Sequence, residues 1–206
     1  MGQKAPRQMS LIARPRILIT GFGAFPGMPD NPTSDLVRSL PRRLMGLKVH
    51  YRVLPVSWEH SAEHLSRAID LVVPHLVLLC GVSHQESCVH LEMQAWNRLD
   101  GRPDASGELR LPGPIDPTRP MTHVRTCHWP IEDFVKGLRS KGHDAKSSKD
   151  PGRYLCNHTF YSAFDMPAPA GVGFLHIAPG PFTGRKDPRR QALGDLVRTL
   201  DLWLRT

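Results

Sequence analysis

The sequence predicts an α/β protein: a single three-layer α/β/α domain with a largely parallel central sheet. Short apolar segments alternate along the chain with helical segments of about 10–15 residues, the pattern of crossover units between parallel strands. The run Leu76–Gly81 is apolar throughout, which is typical of a strand buried on both faces. A length of 206 residues suits one large domain. Ligands of such sheets bind beyond the carboxyl ends of strands, so the segments that follow the strands are candidate functional regions.

The first half of the chain contributes three strands and two helices. Arg16–Thr20 is a short apolar run before a glycine-rich turn, and Lys48–Pro55 alternates apolar and polar residues, so both predict strands. A helix is predicted over Thr33–Met45, where Pro41 would bend or shorten it. Glu59–Val73 places its apolar residues on one face and predicts a second helix before the central apolar strand.

The second half continues the alternation around one long loop. The stretch from Asp100 to Thr122 is rich in proline, glycine and aspartate, and long loops in compact domains tend to be functional. The other predicted elements are an extended segment over Val89–Asn97, a helix over Pro130–Lys141, a helix from near Tyr154 to about Asp165, a strand over Gly171–Ile177 and a C-terminal helix over Pro188–Leu204.

Charge and hydropathy restrict the classes of partner. The chain carries 27 Lys and Arg residues against 19 Asp and Glu residues, a net charge of +8. The basic residues fall in small, scattered groups without interleaved aromatic residues, so we expect no nucleic-acid partner. No apolar run approaches the roughly 20 residues of a membrane span, and no secretory signal is legible, so we expect no membrane association. We interpret residues 1–14 as a basic, mobile tail before a domain over residues 15–206.

Cysteine usage points to a reducing compartment. The four cysteines, at positions 80, 88, 127 and 156, are too few and too irregularly spaced for a disulfide framework, which favours the cytoplasm. Cys80 and Cys88 are interpreted as core residues. The pairs Cys127-His128 and Cys156-x-His158 lack the spacing of a structural zinc site. The glycine-rich loop has neither a G-K-[ST] ending nor a G-x-G-x-x-G pattern, so neither metal nor nucleotide cofactor is expected.

One cysteine occupies a position suited to nucleophilic chemistry. Cys156 lies between P-G-R-Y-L and N-H-T-F-Y, where a helix is predicted to begin. The N-terminus of a helix stabilises a thiolate and lowers the pKa of its thiol. The alternative is a buried structural cysteine, the commoner role of a free cysteine in a protein core.

A cysteine nucleophile also needs an imidazole and a group that orients it. His176 lies near the end of an apolar strand, where a core histidine and a functional one both remain open interpretations. Glu92 is an acidic residue in an otherwise apolar strand, and burying its carboxylate is costly unless an imidazolium pairs with it. Phe22 and Phe25, in the loop after the first strand, are either core anchors or the lining of a pocket.

Four segments together resemble the pyroglutamyl peptidase I (pyrrolidone-carboxylate peptidase) family of cysteine peptidases. The family's T-G-F-x-P-F-G-G loop is similar to T-G-F-G-A-F-P-G at 20–27, followed by N-P-T at 31–33. Its L-E-x-x-A-x-N segment matches L-E-M-Q-A-W-N at 91–97. Its cysteine segment resembles P-G-R-Y-L-C-N at 151–157, and its histidine segment resembles F-L-H-I-A at 174–178. All four occur in family order, which makes the combination specific.

The resemblance implies a reaction and a set of roles. It implies a cysteine exopeptidase that removes N-terminal pyroglutamate from peptides through a thioester acyl-enzyme. The resemblance further implies a soluble cytosolic enzyme, often a homo-oligomer, with no metal or organic cofactor. The roles that it implies are the nucleophile Cys156, the general acid and base His176, the orienting carboxylate Glu92, and the pocket residues Phe22, Phe25, Asn31 and Tyr154.

This chain departs from the family pattern in and around the implied pocket. Ala24, Pro26, Val82 and Ala178 stand where many members have Pro, Gly, Gln and Pro. Two alternatives follow. One is a related cysteine hydrolase with a different acyl substrate, because the substitutions lie near the pocket. The other is a non-catalytic protein that binds its partner through the basic surface.

Overall fold

The computed structural model describes residues 14–83, 88–168 and 170–206. The predicted mobile tail lies almost wholly outside the described residues. The strands are β1 (Arg16–Phe22), β2 (Arg43–Leu44), β3 (Leu47–Leu54), β4 (Leu76–Val82), β5 (Val89–Glu92), β6 (Gln94–Trp96), β7 (Val124–Thr126), β8 (Ala145–Ser148) and β9 (Val172–Ile177). The helices are α1 (Pro32–Arg38), α2 (His60–Val72), α3 (Ile131–Ser140), α4 (Leu155–Ala163) and α5 (Pro188–Trp203), with a short 3-10 helix at Gly184–Lys186.

Seven strands form the central sheet in the order β2-β3-β1-β4-β9-β5-β8. Four of the six pairings are parallel, whereas β2 runs antiparallel to β3 and β5 runs antiparallel to β9. Helix α2 packs against α4, and α3 packs against α5. The prediction of an α/β fold with a largely parallel sheet is confirmed.

The hydrophobic core follows the central strands. Every residue of β5 and β9 is buried, as is all of β4 except its last residue. A strand with buried side chains on both faces needs apolar residues at consecutive positions, which is the pattern of L-V-L-L-C-G in β4. The predicted bounds agree with the structure to within two residues at each end for four strands, β1, β3, β4 and β9, and for all helices other than α1.

The prediction of one helix over Thr33–Met45 is wrong in its second half. Helix α1 ends at Arg38, and the Ser39 hydroxyl donates to the Leu36 carbonyl at 2.6 Å. Pro41 has no backbone N–H with which to continue the helical hydrogen bonds. The chain then turns through Met45, whose φ is 52°, and the two residues of β2 pair with β3.

The predicted extended segment over Val89–Asn97 is confirmed, but it consists of two strands rather than one. The chain divides after Glu92, so that β5 belongs to the main sheet while β6 pairs with β7 in a separate two-stranded sheet. Sequence patterning did not predict β7 or β8. Both are short, and β8 reads Ala-Lys-Ser-Ser, a polar edge strand without the apolar alternation that predicts strands.

The predicted long loop contains no helix or strand between Asp100 and Thr122. It is ordered by its own turns and by Asp104, whose carboxylate accepts from the backbone N–H of Trp58 at 3.0 Å and of Ser106 at 2.8 Å. Asp104 thereby ties the loop to the chain that enters α2. In the part of the chain that the structure describes, no helix is long and apolar enough to cross a membrane.

Candidate active site

The three residues predicted to carry chemistry meet near the carboxyl ends of the parallel strands β4 and β9. His176 is the second-last residue of β9. Glu92 belongs to β5, which runs antiparallel to β9, and it lies opposite Phe174, two residues before His176. Cys156 is the second residue of α4. The place agrees with the rule that ligands bind beyond the carboxyl ends of parallel strands.

Glu92 and His176 form a buried hydrogen-bonded pair. Oε1 of Glu92 lies 2.7 Å from Nδ1 of His176, and the two residues are 0% and 4% exposed. The Cys156 side chain hydrogen bonds to the same imidazole. Because Nδ1 faces the carboxylate, the thiol faces the other ring nitrogen, Nε2. A carboxylate on Nδ1 fixes the tautomer and the orientation of the ring.

The surroundings of His176 favour its charged form. Burial by itself would lower the pKa of His176. The hydrogen bonds to Cys156 and Glu92 and the negative charges of both groups outweigh burial and raise the pKa to about 9. An imidazolium at neutral pH is the partner that a thiolate needs.

The other cysteines have different environments. Burial raises the pKa of the Cys80 thiol far above its usual range, and it raises the pKa of Cys127 to about 11. The pKa of Cys88 is raised as well, although this residue is only partly buried and the prediction of a core position is therefore inaccurate for it. Cys156 alone among the four hydrogen bonds to an imidazole in the described residues.

A glycine makes room for the thiol. Gly81 of β4 is the parallel neighbour of His176. A Cβ atom at this glycine would lie 2.7 Å from Sγ of Cys156 and 2.9 Å from Cζ of Phe174, both well inside contact distance. Sequence reasoning missed Gly81. The available signal was a glycine inside an otherwise apolar strand, which often marks a close approach.

The start of α4 supplies backbone donors beside the thiol. Tyr154, the residue before the helix, makes no side-chain hydrogen bond to the first turn. The N–H groups of a first turn have no intrahelical acceptor, and they lie at the positive end of the helix dipole. The N–H of Cys156 is one of these donors.

Two adjoining cavities open at Cys156. The smaller has a volume of about 60 Å³ and the larger about 360 Å³. Both are lined by Phe25, Val82, Tyr154 and Cys156. The smaller one is completed by Phe22, Asn31, Val56 and Leu155, and the larger one by Met28, Ser83, Arg102, Asp150, Pro151, Gly152 and His176.

The four predicted pocket residues all line the smaller cavity, but they differ in position and in the contacts that hold them. Phe22 is the last residue of β1 and is 3% exposed, so it lies in the strand and not in the loop after it. Phe25 is partly buried. The Tyr154 hydroxyl donates to the Pro103 carbonyl at 2.9 Å, and its ring stands edge-on to Trp58.

Asn31 holds the glycine-rich loop against α1. Its side-chain oxygen accepts from the backbone N–H of Thr33 at 3.1 Å, which caps α1, and its amide nitrogen donates to the Gly23 carbonyl at 2.9 Å. The amide nitrogen carries a second hydrogen, which can serve a ligand in the small cavity.

The structure also adds residues that were not singled out from the sequence. Arg102 and Asp150 line the larger cavity, and the Arg102 guanidinium lies 4.7 Å from the centre of the Tyr154 ring. Arg102 belongs to the loop that composition had marked as functional. Within residues 14–83, 88–168 and 170–206, no cluster of three or more His, Cys, Asp or Glu side chains could hold a metal ion.

Comparisons with known proteins point to one family. The sequence model of pyroglutamyl peptidase matches residues 15–185. The chain is 34% identical over 198 residues to the pyrrolidone-carboxylate peptidase of Brevibacillus brevis, covering 92% of this chain and 91% of that protein. It is 32% identical over 168 residues to the pyrrolidone-carboxylate peptidase of Pyrococcus furiosus, covering 79% and 80% of the two chains. The solved structure of the pyrrolidone carboxyl peptidase from Thermococcus litoralis superposes with a TM-score of 0.83 at 26% identity, covering 93% of this chain and 96% of that one.

Proposed function

This chain belongs to the pyroglutamyl peptidase family of cysteine peptidases, and we propose that it removes N-terminal pyroglutamate from peptides through Cys156, His176 and Glu92. The observation that carries these roles is the hydrogen-bonded series from Glu92 to His176 to Cys156, which ends at the cysteine where two cavities adjoin. A nucleophile, a base and a group that orients the base are the parts that cysteine hydrolysis requires.

In the first half of the reaction, the Cys156 thiolate attacks the acyl carbonyl carbon of the pyroglutamyl residue. A C–S bond forms, and the negative charge moves to the carbonyl oxygen, which the N–H of Cys156 stabilises at the start of α4. When the C–N bond breaks, His176 donates its Nε2 proton to the departing amine. The peptide leaves with a free N-terminus, and a thioester remains on Cys156.

In the second half, water hydrolyses the thioester. Neutral His176 takes a proton from the water, whose oxygen attacks the thioester carbonyl. The C–S bond breaks, pyroglutamic acid leaves, and the thiolate–imidazolium pair is restored. Glu92 stabilises the imidazolium at both stages, because its carboxylate faces Nδ1 throughout.

The smaller cavity is suited to the pyroglutamyl ring. L-pyroglutamate is a neutral lactam without a free amine, so it is best bound by apolar and aromatic side chains with a few amide-directed hydrogen bonds. Phe22, Phe25 and Tyr154 supply the aromatic lining. We propose that the second amide hydrogen of Asn31, which lines this cavity, donates to the lactam oxygen.

The larger cavity then receives the rest of the peptide. It adjoins the small cavity at Cys156 and contains His176, the group that must protonate the departing amine. Its greater volume and the charged side chains of Arg102 and Asp150 suit a chain of variable sequence. Peptides with N-terminal pyroglutamate are therefore the partners that we propose.

The location that we propose follows from the chemistry of the thiol. All four cysteines are free, and a catalytic thiolate survives only where it stays reduced, so we place the enzyme in the cytoplasm. The homo-oligomer expected from the family resemblance stays a prediction, to be measured by light scattering.

The direct test is the hydrolysis of pyroglutamyl-coumarylamide under reducing conditions, beside prolyl- and alanyl-coumarylamide. We expect selective turnover of the pyroglutamyl compound, and its loss in Cys156→Ala. Cys127→Ala is the matched control, because it removes a thiol outside the site and should keep the activity. Turnover that persists in Cys156→Ala would refute the assignment of the nucleophile. Turnover of another acyl compound alone would favour the related hydrolase with a different substrate.

A further inference from the structure

A second histidine, His90, lies next to the Glu92–His176 pair on the same face of the sheet. His90 stands directly opposite His176 in the antiparallel pairing of β5 with β9. Directly opposite residues of such a pair share a face, with Cβ atoms about 5 Å apart. Glu92 follows His90 by two residues in β5 and therefore points to the same face. All three residues are buried.

Two polar atoms of this group have no hydrogen-bond partner among the described residues. They are Nδ1 of His90 and Oε2 of Glu92, and both are buried. Buried polar atoms are nearly always paired, because an unpaired one loses its hydrogen bonds to water without replacement. A carboxylate oxygen accepts and an imidazole N–H donates. The two atoms are therefore complementary, and they belong to neighbouring side chains on one face.

We propose that His90 is a positioning residue for the catalytic pair, whose neutral imidazole donates from Nδ1 to Oε2 of Glu92 and thereby keeps the carboxylate aimed at His176. The contact requires the two side chains to turn toward each other on the face that they share. The carboxylate is then held at both oxygens, at Oε1 by His176 and at Oε2 by His90. The inference rests on the roles proposed above for Glu92 and His176.

The charges around His90 favour the neutral form that this role needs. Four charged groups face it: Glu92 on its own strand, His176 on β9, Lys146 opposite it on β8, and Asp144 before β8. Burial lowers the pKa of His90, and His176 and Lys146 lower it further, which together outweigh the opposite effect of the two carboxylates.

Acid therefore acts on the catalytic pair through His90. When His90 takes up a proton, a second cation faces the His176 imidazolium and competes with it for Glu92. Protonation of His90 should therefore contribute to the loss of activity at low pH. A residue that only fills space would make no such contribution.

The test compares His90→Gln and His90→Leu in the pH dependence of kcat and KM for pyroglutamyl-coumarylamide. Leucine has no hydrogen-bond donor, so kcat should fall about tenfold, while KM should stay within about twofold of the wild-type value. A loss of this size is typical when a group that orients a functional side chain is removed. Glutamine keeps an amide donor but does not titrate, so it should recover most of kcat and move the acidic limb to lower pH by about half a unit. The matched control is His50→Leu, which removes another unpartnered histidine nitrogen of the same sheet, in β3, and should leave the profile unchanged.

Wild-type kcat and an unmoved acidic limb in both His90 variants would overturn the proposal. A measurement on the unaltered protein makes the result independent of whether the variants fold. Nitrogen-15 spectra of the histidine rings at about pH 8 should find the proton of neutral His90 on Nδ1, and a proton on Nε2 would overturn the proposal equally. Active Cys156→Ala would refute the proposed catalytic roles, whereas inactive Cys156→Ala beside fully active His90→Leu would remove only the role of His90.

Discussion

The position of the Cys156 thiol depends on the absence of a side chain at Gly81, and this dependence can be tested by substitution. In Gly81→Ala the added Cβ would lie 2.7 Å from Sγ of Cys156 and 2.9 Å from the Phe174 ring. Contacts below 3.4 Å are already tight, so the thiol must retreat by about 0.7 Å or turn to another rotamer. Either movement changes the position of Sγ relative to the His176 imidazole.

The expected effect is large on catalysis and moderate on stability. A displacement of about 1 Å at a reacting group costs on the order of 100-fold in rate, so we expect kcat/KM for pyroglutamyl-coumarylamide to fall about 100-fold. One extra methyl group in a packed site costs about 2 kcal/mol in the free energy of unfolding. For a chain of this length, that change lowers Tm by about 6 °C.

The matched control is Gly137→Ala in α3. A Cβ there meets nothing within 4 Å, and alanine is favoured over glycine inside a helix by about 1 kcal/mol. We expect unchanged kcat/KM and a Tm that is the same or slightly higher. The assay pairs steady-state kinetics with the rate of Cys156 alkylation by iodoacetamide. Wild-type kcat/KM in folded Gly81→Ala would refute the placement of the thiol against this glycine.

Three further predictions concern the carboxylate beside His176, the reactivity of Cys156 and a buried ion pair at the start of α5. In Glu92→Gln the carboxylate no longer raises the pKa of His176, so the thiolate–imidazolium pair should dissociate at lower pH; the alkaline limb of kcat/KM should shift downward, with about a 100-fold loss at its plateau. Iodoacetamide should label Cys156 long before Cys80, because burial raises the pKa of the Cys80 thiol; peptide mass mapping gives the order. Arg189→Met should lower the free energy of unfolding by about 3 kcal/mol in urea titration, because it removes the cation that pairs with the buried carboxylate of Asp187 and leaves that carboxylate with hydrogen bonds from Thr183 and the backbone alone.

Each of these has an outcome that would contradict it. An alkaline limb that stays in place in Glu92→Gln would show that the carboxylate does not support the imidazolium. Equal and slow labelling of all four cysteines would remove the case for a reactive thiol. For Arg189, the control is Arg185→Met at an exposed position in the 3-10 helix, and equal effects of the two variants would mean that the buried ion pair contributes nothing specific.

The predictions that succeeded rest on local information. Apolar stripes at helical spacing and the continuous apolar run of β4 are properties of neighbouring residues, and they identified most elements to within two residues. The failures arose where the local sequence has only a weak preference for a strand, or where tertiary contacts override that preference. The polar segment of β8 pairs only because β5 offers its edge, and β6 leaves the main sheet although its residues continue the extended pattern of β5.

The candidate site divides in the same way. Motifs along the chain were sufficient to single out Cys156, His176 and Glu92 and to indicate the reaction. They did not place Phe22 in a strand, nor did they point to the closeness of Gly81 and the thiol or to the position of His90 opposite His176.

By itself, then, the sequence determined the fold class, the order of most elements and the chemical types that react, because periodicity, helix caps and motifs are written in consecutive residues. Tertiary structure decided which distant side chains touch. Glu92 and His176 are 84 positions apart, and their contact depends on the register of β5 against β9, in which a shift of one residue would turn every side chain to the other face. Such a register is set by the packing of the whole sheet and its helices, and therefore no local pattern contains it.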